Sequence, residues 1–225
     1  MSIRFYRITG SLLHEAPSVL ASGSFLTRYT FPMSSFTFHP VTPDRLADLD
    51  RFSRAHGKFR YCSCMRWRMP GAQYQKSTKE QRVVALEDRV RQSIPIGILA
   101  YLDGDPVGWC SVAPYATYVA LQRYKALAPI DDTPVWSIVC FFVDAKVRRR
   151  GLTAGLLKAA VKYARSQGAL VVEGYPVEPG SRLYTYMGSP AAFRKAGFQD
   201  VAPPERERRI MRCVVDKRAL RKGTT

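Results

Sequence analysis

The sequence predicts a mixed α/β fold: a mostly antiparallel sheet of about seven strands with one central parallel pair, flanked by helices. Two stretches carry that prediction. Residues 134–178 run as an apolar strand, an amphipathic helix and a second apolar strand, the pattern of a parallel pair joined by a right-handed crossover. Residues 96–114 hold two apolar runs around Asp103-Gly104-Asp105, the signature of a hairpin. At 225 residues and 46% hydrophobic, the chain has enough material for one domain with a real core.

In chain order, "SFTFHPV" (35–41) alternates as a strand, and Thr42-Pro43 offers an N-cap with proline at the first helical position. The helix that follows stops at Gly57. The aromatic, basic stretch after it lacks periodicity and reads as a loop or short irregular helix. Ser77 and Glu80 fit a capping box for a helix whose apolar face holds Val83, Leu86, Val90 and Ile94. After the hairpin come a short helix and a polar loop, then the strand "PVWSIVCFFVD" (134–144), apolar enough to be covered on both faces. A helix spans 151–167 with Gly168 as its stop. "ALVVEGYPVEP" (169–179) is another covered strand, and a short helix over 190–197 precedes closing strands near 198–202 and 208–215.

The formal charge is +17, and three segments (54–70, 144–168 and 203–225) account for sixteen of it. Such patches attract polyanions, anionic cofactors or acidic surfaces, and the plain alternative is a solvated basic face. Five cysteines stand at 62, 64, 110, 140 and 213. Cys62-Ser63-Cys64 is too tight for a zinc pair, and only His14, His39 and His56 are available to complete one, so no metal is expected. Reduced thiols, and with them a cytoplasmic setting, are expected rather than disulfides. No apolar run reaches the roughly 18–20 residues of a membrane span. The first 34 residues lack the features of a secretory signal and read as a leader or extension; residues 35–216 form the domain, and 217–225 a basic tail.

The chemistry is concentrated where the strand at 134–144 gives way to "AKVRRRGLTAGLL". A strand, a tight turn and a helix leave backbone N–H groups free at a helix N-terminus, where the dipole also favours an anion. Gly151 removes the Cβ that would hold an anion off, and arginine adds bidentate donors. The glycines at 151 and 155 have the wrong spacing for a dinucleotide fingerprint, and no GxxxxGK[ST] loop is present.

"VDAKVRRRGLTAGLLKAAVKYA" resembles the acyl-CoA-binding motif [Q/R]-x-x-G-x-[G/A] of the GCN5-related N-acetyltransferases, with Arg148 on the leading position, Gly151 on the glycine and Thr153 where Gly or Ala is usual. The resemblance covers residues 35–216 in the family's element order, including the closing "FRKAGF"; "VEGYPV", "VGWCSVAP" and the segment 62–68 are similar to an uncharacterised bacterial branch. It implies acetyl-CoA as acyl donor, with the backbones of Phe141, Phe142 and Val143 holding the pantetheine arm. The amides of Arg149, Arg150, Gly151, Leu152, Thr153 and Ala154 would hold the pyrophosphate. The parallel strands would splay apart to admit the thioester, and a primary amine would attack it directly in a ternary complex. Dimers are common in this family.

The family's usual tyrosine acid falls on Phe193, which has no proton to give, so Tyr184 and Tyr186 are the alternatives. Glu173 is the leading candidate for the base, against a structural role paired with an arginine; Glu178 and a water relay stay open. Cys140 as a nucleophile is weighed against core packing, which the apolar strand favours. The segment 58–68 is a candidate lid whose arginines suit an acceptor with an acidic group. Two other readings are a basic nucleic-acid-binding module, for which the sequence shows no recognisable binding motif, and a CoA-binding regulatory domain without catalysis.

Overall fold

Alternating and continuous apolar runs become strands here because each has a helical layer to bury against. The computed structural model describes residues 36–215; the expected leader over 1–34 and tail over 217–225 lie outside them. β1 (Thr37–Pro40) is followed by one 3-10 turn, α1 (Leu46–Ala55), α2 (Gly57–Cys62), α3 (Gly71–Lys76) and α4 (Lys79–Arg91). β2 (Ile98–Leu102) and β3 (Asp105–Pro114) form the hairpin, turning through Asp103 and Gly104, both at positive φ. Then come α5 (Val119–Gln122), β4 (Val135–Val143), α6 (Leu152–Ser166), β5 (Val171–Gly174), α7 (Pro190–Lys195), β6 (Gln199–Asp200) and β7 (Met211–Val214). The seven strands form one sheet in the order β1-β2-β3-β4-β5-β7-β6, antiparallel everywhere except between β4 and β5.

The core has two faces. On one, Leu152, Leu156, Leu157, Ala160 and Ala164 turn the stripe of α6 onto Ile98, Cys110, Ile138 and Val172. On the other, Phe52, Phe59, Met65, Leu86 and Val90 from the α1–α4 region cover Leu99, Trp109 and the neighbouring strand residues. Burying a Phe or Leu of this kind contributes about 1.5–3 kcal/mol each, so this unbroken apolar lamination is what holds the sheet flat against its helices. Gly168, at φ 84, ends α6 as expected.

Local chemistry departs from the sequence reading in four places. The capping box sits one residue on: Thr78 Oγ1 accepts from Gln81 N at 3.2 Å and Gln81 Oε1 accepts from Thr78 N at 2.8 Å. Ser77 is diverted, because its hydroxyl donates to Tyr74 O at 2.8 Å. Pro43 opens a helical turn, yet Thr42 makes no side-chain cap bond. The stretch after Gly57, open between a loop and a short irregular helix, forms two short helices, α2 and α3; Phe59 of α2 is buried, and so is Met65 in the turn between them. The strand expected over 169–179 is only Val171–Gly174, since beyond the Ile138–Gly174 pair the chain leaves β4 and Val177 N instead donates to Gly188 O at 2.9 Å.

Candidate functional site

The divergence of β4 and β5 creates the site. Their parallel pairing runs from Val135–Val171 to Ile138–Gly174 and stops, while β4 continues to Val143. Beyond Ile138 no strand pairs with that edge of β4 among the described residues. On its other edge β4 pairs with β3, where Ser111 faces Cys140 but Val112 faces Ile138, leaving Val139 as the extra residue of a bulge. The bulge turns Val139 and Cys140 toward the same side, away from α6.

Phe193 of α7 fixes the opening. Its ring is fully buried, 6.0 Å from Phe141 of β4 and 5.0 Å from Phe198, and it lies so close to Gly174 that a Cβ there would be 2.2 Å from it. Gly174 therefore has to be glycine for the aromatic wedge to fit between the two strand ends.

At the C-terminal end of β4, Val147 is buried and anchors the turn while Arg148, Arg149 and Arg150 are exposed. Gly151, at φ 77, is the N-cap of α6 and supplies no capping side chain; the first helical bond is Gly155 N to Gly151 O at 3.1 Å. The amides of Leu152, Thr153 and Ala154 thus precede the hydrogen-bonded ladder and keep their donors for an anion. A Cβ on Gly151 would meet nothing within 4 Å, so the space before the helix is open. Arg148, Arg149, Gly151 and Thr153 line a recess of about 460 Å³ together with Val143 of β4 and Lys195 of α7. Arg150 stands apart from that recess, its guanidinium 5.1 Å from the centre of the Phe36 ring.

Next to it along β4, Cys140, Phe141 and Phe142 line a second pocket of about 470 Å³, whose other walls are α2, the Cys64–Trp67 turn, Tyr74 and Tyr186. Tyr186 is pushed well above the usual phenol range, chiefly by burial. It therefore keeps its proton, as a general acid must. Tyr184 sits beside it at 6.1 Å between ring centres but outside this lining, held by Trp67, Tyr124 and the Arg208 guanidinium, with a positive φ of 58. Its phenol is also raised, chiefly by the hydrogen bond with Tyr124.

Three thiols meet in this wall. Burial opposes ionisation of Cys64, but Cys140, the Arg68 guanidinium and the Trp109 indole N–H, which donates to Cys64 Sγ at 2.9 Å, outweigh it and hold Cys64 below the ordinary thiol value. Cys140 is raised by that same contact and by burial. Arg68 is almost completely buried and bonds only neutral groups, Ser111 Oγ, Ile96 O and Tyr118 Oη. The Arg68 charge is one of the groups that favours the ionised form of Cys64, and both Ser63 and Cys64 adopt positive φ. Among the described residues no group of three or more His, Cys, Asp or Glu is arranged to hold a metal ion, and no helix is long and apolar enough to cross a membrane.

Glu173 lies elsewhere. It is 1% exposed, accepts from Arg212 Nε at 2.7 Å and lines a separate recess of about 320 Å³ with Asp131 and Val135, at the start of β4. Arg212 also donates to Asp131 at 2.6 Å, and holds that carboxylate down to about 2. Glu178 is bonded by Arg209.

The structure thus gathers Val143, Arg148, Arg149, Gly151, Leu152, Thr153 and Ala154 round one recess, and Phe141, Phe142 and Tyr186 round the next. Lys195 and Tyr74 were not singled out from sequence. Lys195 falls in "FRKAGF", whose position at the end of the last helix was the available signal; nothing local marks Tyr74.

The Acetyltransferase (GNAT) family model matches residues 61–198. No curated protein matches the chain in sequence. Among solved structures, a ribosomal-protein-alanine N-acetyltransferase from Brucella melitensis is 16% identical over 79% of this chain and 99% of its own, with a TM-score of 0.47. The PaiA N-acetyltransferase from Thermoplasma acidophilum, in complex with coenzyme A, is 14% identical over 80% and 99%, with a TM-score of 0.45. AAC(6')-Ib, in complex with paromomycin and acetyl-CoA, is 20% identical over 85% and 98%, at 0.47. With its family model spanning more than half the sequence and both recesses inside or beside that span, the chain belongs to the acetyltransferase (GNAT) family.

Proposed function

We propose that this protein transfers an acetyl or other short acyl group from acyl-CoA to a primary amine by direct attack within a ternary complex. One observation carries the reading: consecutive residues of the open edge of β4 join the cationic recess at Gly151 to the ring-lined pocket at Tyr186. An elongated molecule with a phosphate at one end and a thioester at the other suits that path. The donor-rich helix start and the empty space before Gly151 support a pyrophosphate there.

In this reading the amides from Arg149 to Ala154 hold the pyrophosphate, and Arg148, Arg149 and Lys195 balance its charge. Along Phe141, Phe142 and Val143 the edge of β4 turned away from β3 takes the pantetheine arm. Bound acyl-CoA supplies an activated carbonyl carbon. The amine nitrogen forms the new C–N bond, the C–S bond breaks, and Tyr186 gives its proton to the departing sulfur. Tyr186 regains a proton from the amine through solvent. Glu173, already engaged by Arg212, takes no part in proton transfer and fixes β5 to β7 instead.

The experiment is a pair of measurements on the full chain. Calorimetry should show acetyl-CoA binding at micromolar concentration, and an amine panel should release CoA only when an amine is present. Absence of binding would sink the proposal.

A further inference from the structure

The acceptor pocket is specific about charge. Six of its eleven lining residues are aromatic, two are the cations Lys58 and Arg66, and none is Asp or Glu. Arg66 is half-buried, with its guanidinium 5.4 Å from the Trp67 ring centre and 5.8 Å from that of Tyr74. Among the described residues no carboxylate pairs with it, whereas other arginines of the domain, such as Arg91, Arg209 and Arg212, hold acids. A guanidinium laid on two rings at a pocket wall, with its donors unspent, is a receptor for an anion.

We infer that the acceptor is a primary amine on an aromatic or bulky apolar body that also carries one carboxylate, the chemistry of an aromatic α-amino acid. The inference rests on the acyl-transfer reading above and deepens it. The volume, about 470 Å³, is in the range of about 300–1,000 Å³ usual for small-molecule sites. The rings give the apolar body its contact area, and Arg66 takes the carboxylate bidentately.

The same charge pattern addresses how the ammonium loses its proton. With Arg66 paired to the carboxylate, Lys58 is the positive neighbour left facing the amine; it disfavours the ammonium form, and the proton leaves to solvent without a protein carboxylate. Polyamines and other polycations meet the same field as repulsion, with no acid to offset it.

The test compares L-tryptophan and L-phenylalanine with tryptamine, which lacks the carboxylate, and with spermidine, by CoA release from acetyl-CoA. The expected result is a kcat/KM for tryptophan at least about 10-fold above tryptamine, and no turnover of spermidine. In Arg66→Met the tryptophan-to-tryptamine ratio should collapse to within a few-fold, mainly through KM, while Arg66→Lys should keep part of it. Acetyl-CoA affinity and thermal unfolding of each variant establish that it is folded. A preference for spermidine or tryptamine, or a ratio unmoved by Arg66→Met, overturns the inference. Acetyl-CoA bound but transferred to none of the carboxylated amines overturns it too, leaving acyl transfer standing; no acetyl-CoA binding removes both.

Discussion

The two recesses along β4 are built on different principles. The one at Gly151 is made of backbone donors and exposed cations within a few residues of one another, with α7 alone contributing from afar through Ala191, Ala192 and Lys195. The one at Tyr186 is made of side chains from five separate stretches between Lys58 and Tyr186. In the proposed function the first would recognise charge by geometry that a glycine and a helix start supply, and the second would recognise shape by rings that only the tertiary fold brings together. Cofactor binding and acceptor choice should therefore be separable by mutation.

The largest effect tests what lies outside both recesses. Glu173→Gln leaves Arg212 half-unpaired beside β5 and should cost about 3 kcal/mol of stability in chemical denaturation, with kcat altered only a few-fold. A collapse of kcat in protein that is still folded would return the base to Glu173 and blur the division. Tyr186→Phe should next lower kcat about 100-fold with acetyl-CoA affinity unchanged, read by steady-state rates and calorimetry. Unchanged kcat would pass the acid role to another group. Because burial raises the Tyr186 phenol, the wild-type rate should show no alkaline fall from its ionisation in the ordinary working range.

Gly151→Val is the converse, aimed at the cradle. A β-branched residue at φ 77 is strained by roughly 1–3 kcal/mol and projects into the open space, so acetyl-CoA affinity should fall by about 30-fold. Lys195→Ala removes one exposed cation and should weaken acetyl-CoA about 3-fold, an effect that fades in high salt.

The smallest effect is in pH. Asp131 is held down to about 2 by Arg212, against 3.8 unfolded, so its contribution is complete above about pH 4 and is lost as the pH falls toward 2. The carboxylate is nearly half exposed, which limits the pair to about 1 kcal/mol or less. Asp131→Asn should flatten acid unfolding in that window.

The strand–turn–helix around Gly151 was legible because its information is local: Arg148, Gly151 and the stripe of α6 are contiguous, and a strand followed by a tight turn and a helix allows few geometries. The hairpin and the parallel pair followed from the same contiguity. The end of β5 was not legible, because Val177 pairs with Gly188 through tertiary placement rather than through its own residue preference. Nor was the capping box placed correctly, since Ser77 and Thr78 are equivalent as caps until Tyr74 O claims one of them. Tyr184 and Tyr186 are two residues apart in sequence, yet only Tyr186 reaches the pocket, a distinction set by the left-handed turn at Tyr184.

The aromatic wedge at Phe193 has a kinetic consequence. Two parallel strands left to themselves would zip together, and a ligand would then have to pry them open before binding. Because the ring already occupies the angle between them, seated in the hollow that Gly174 leaves, the gap exists before any ligand arrives. Association should accordingly be a single step whose rate rises linearly with acetyl-CoA concentration, without the plateau that a slow opening would impose.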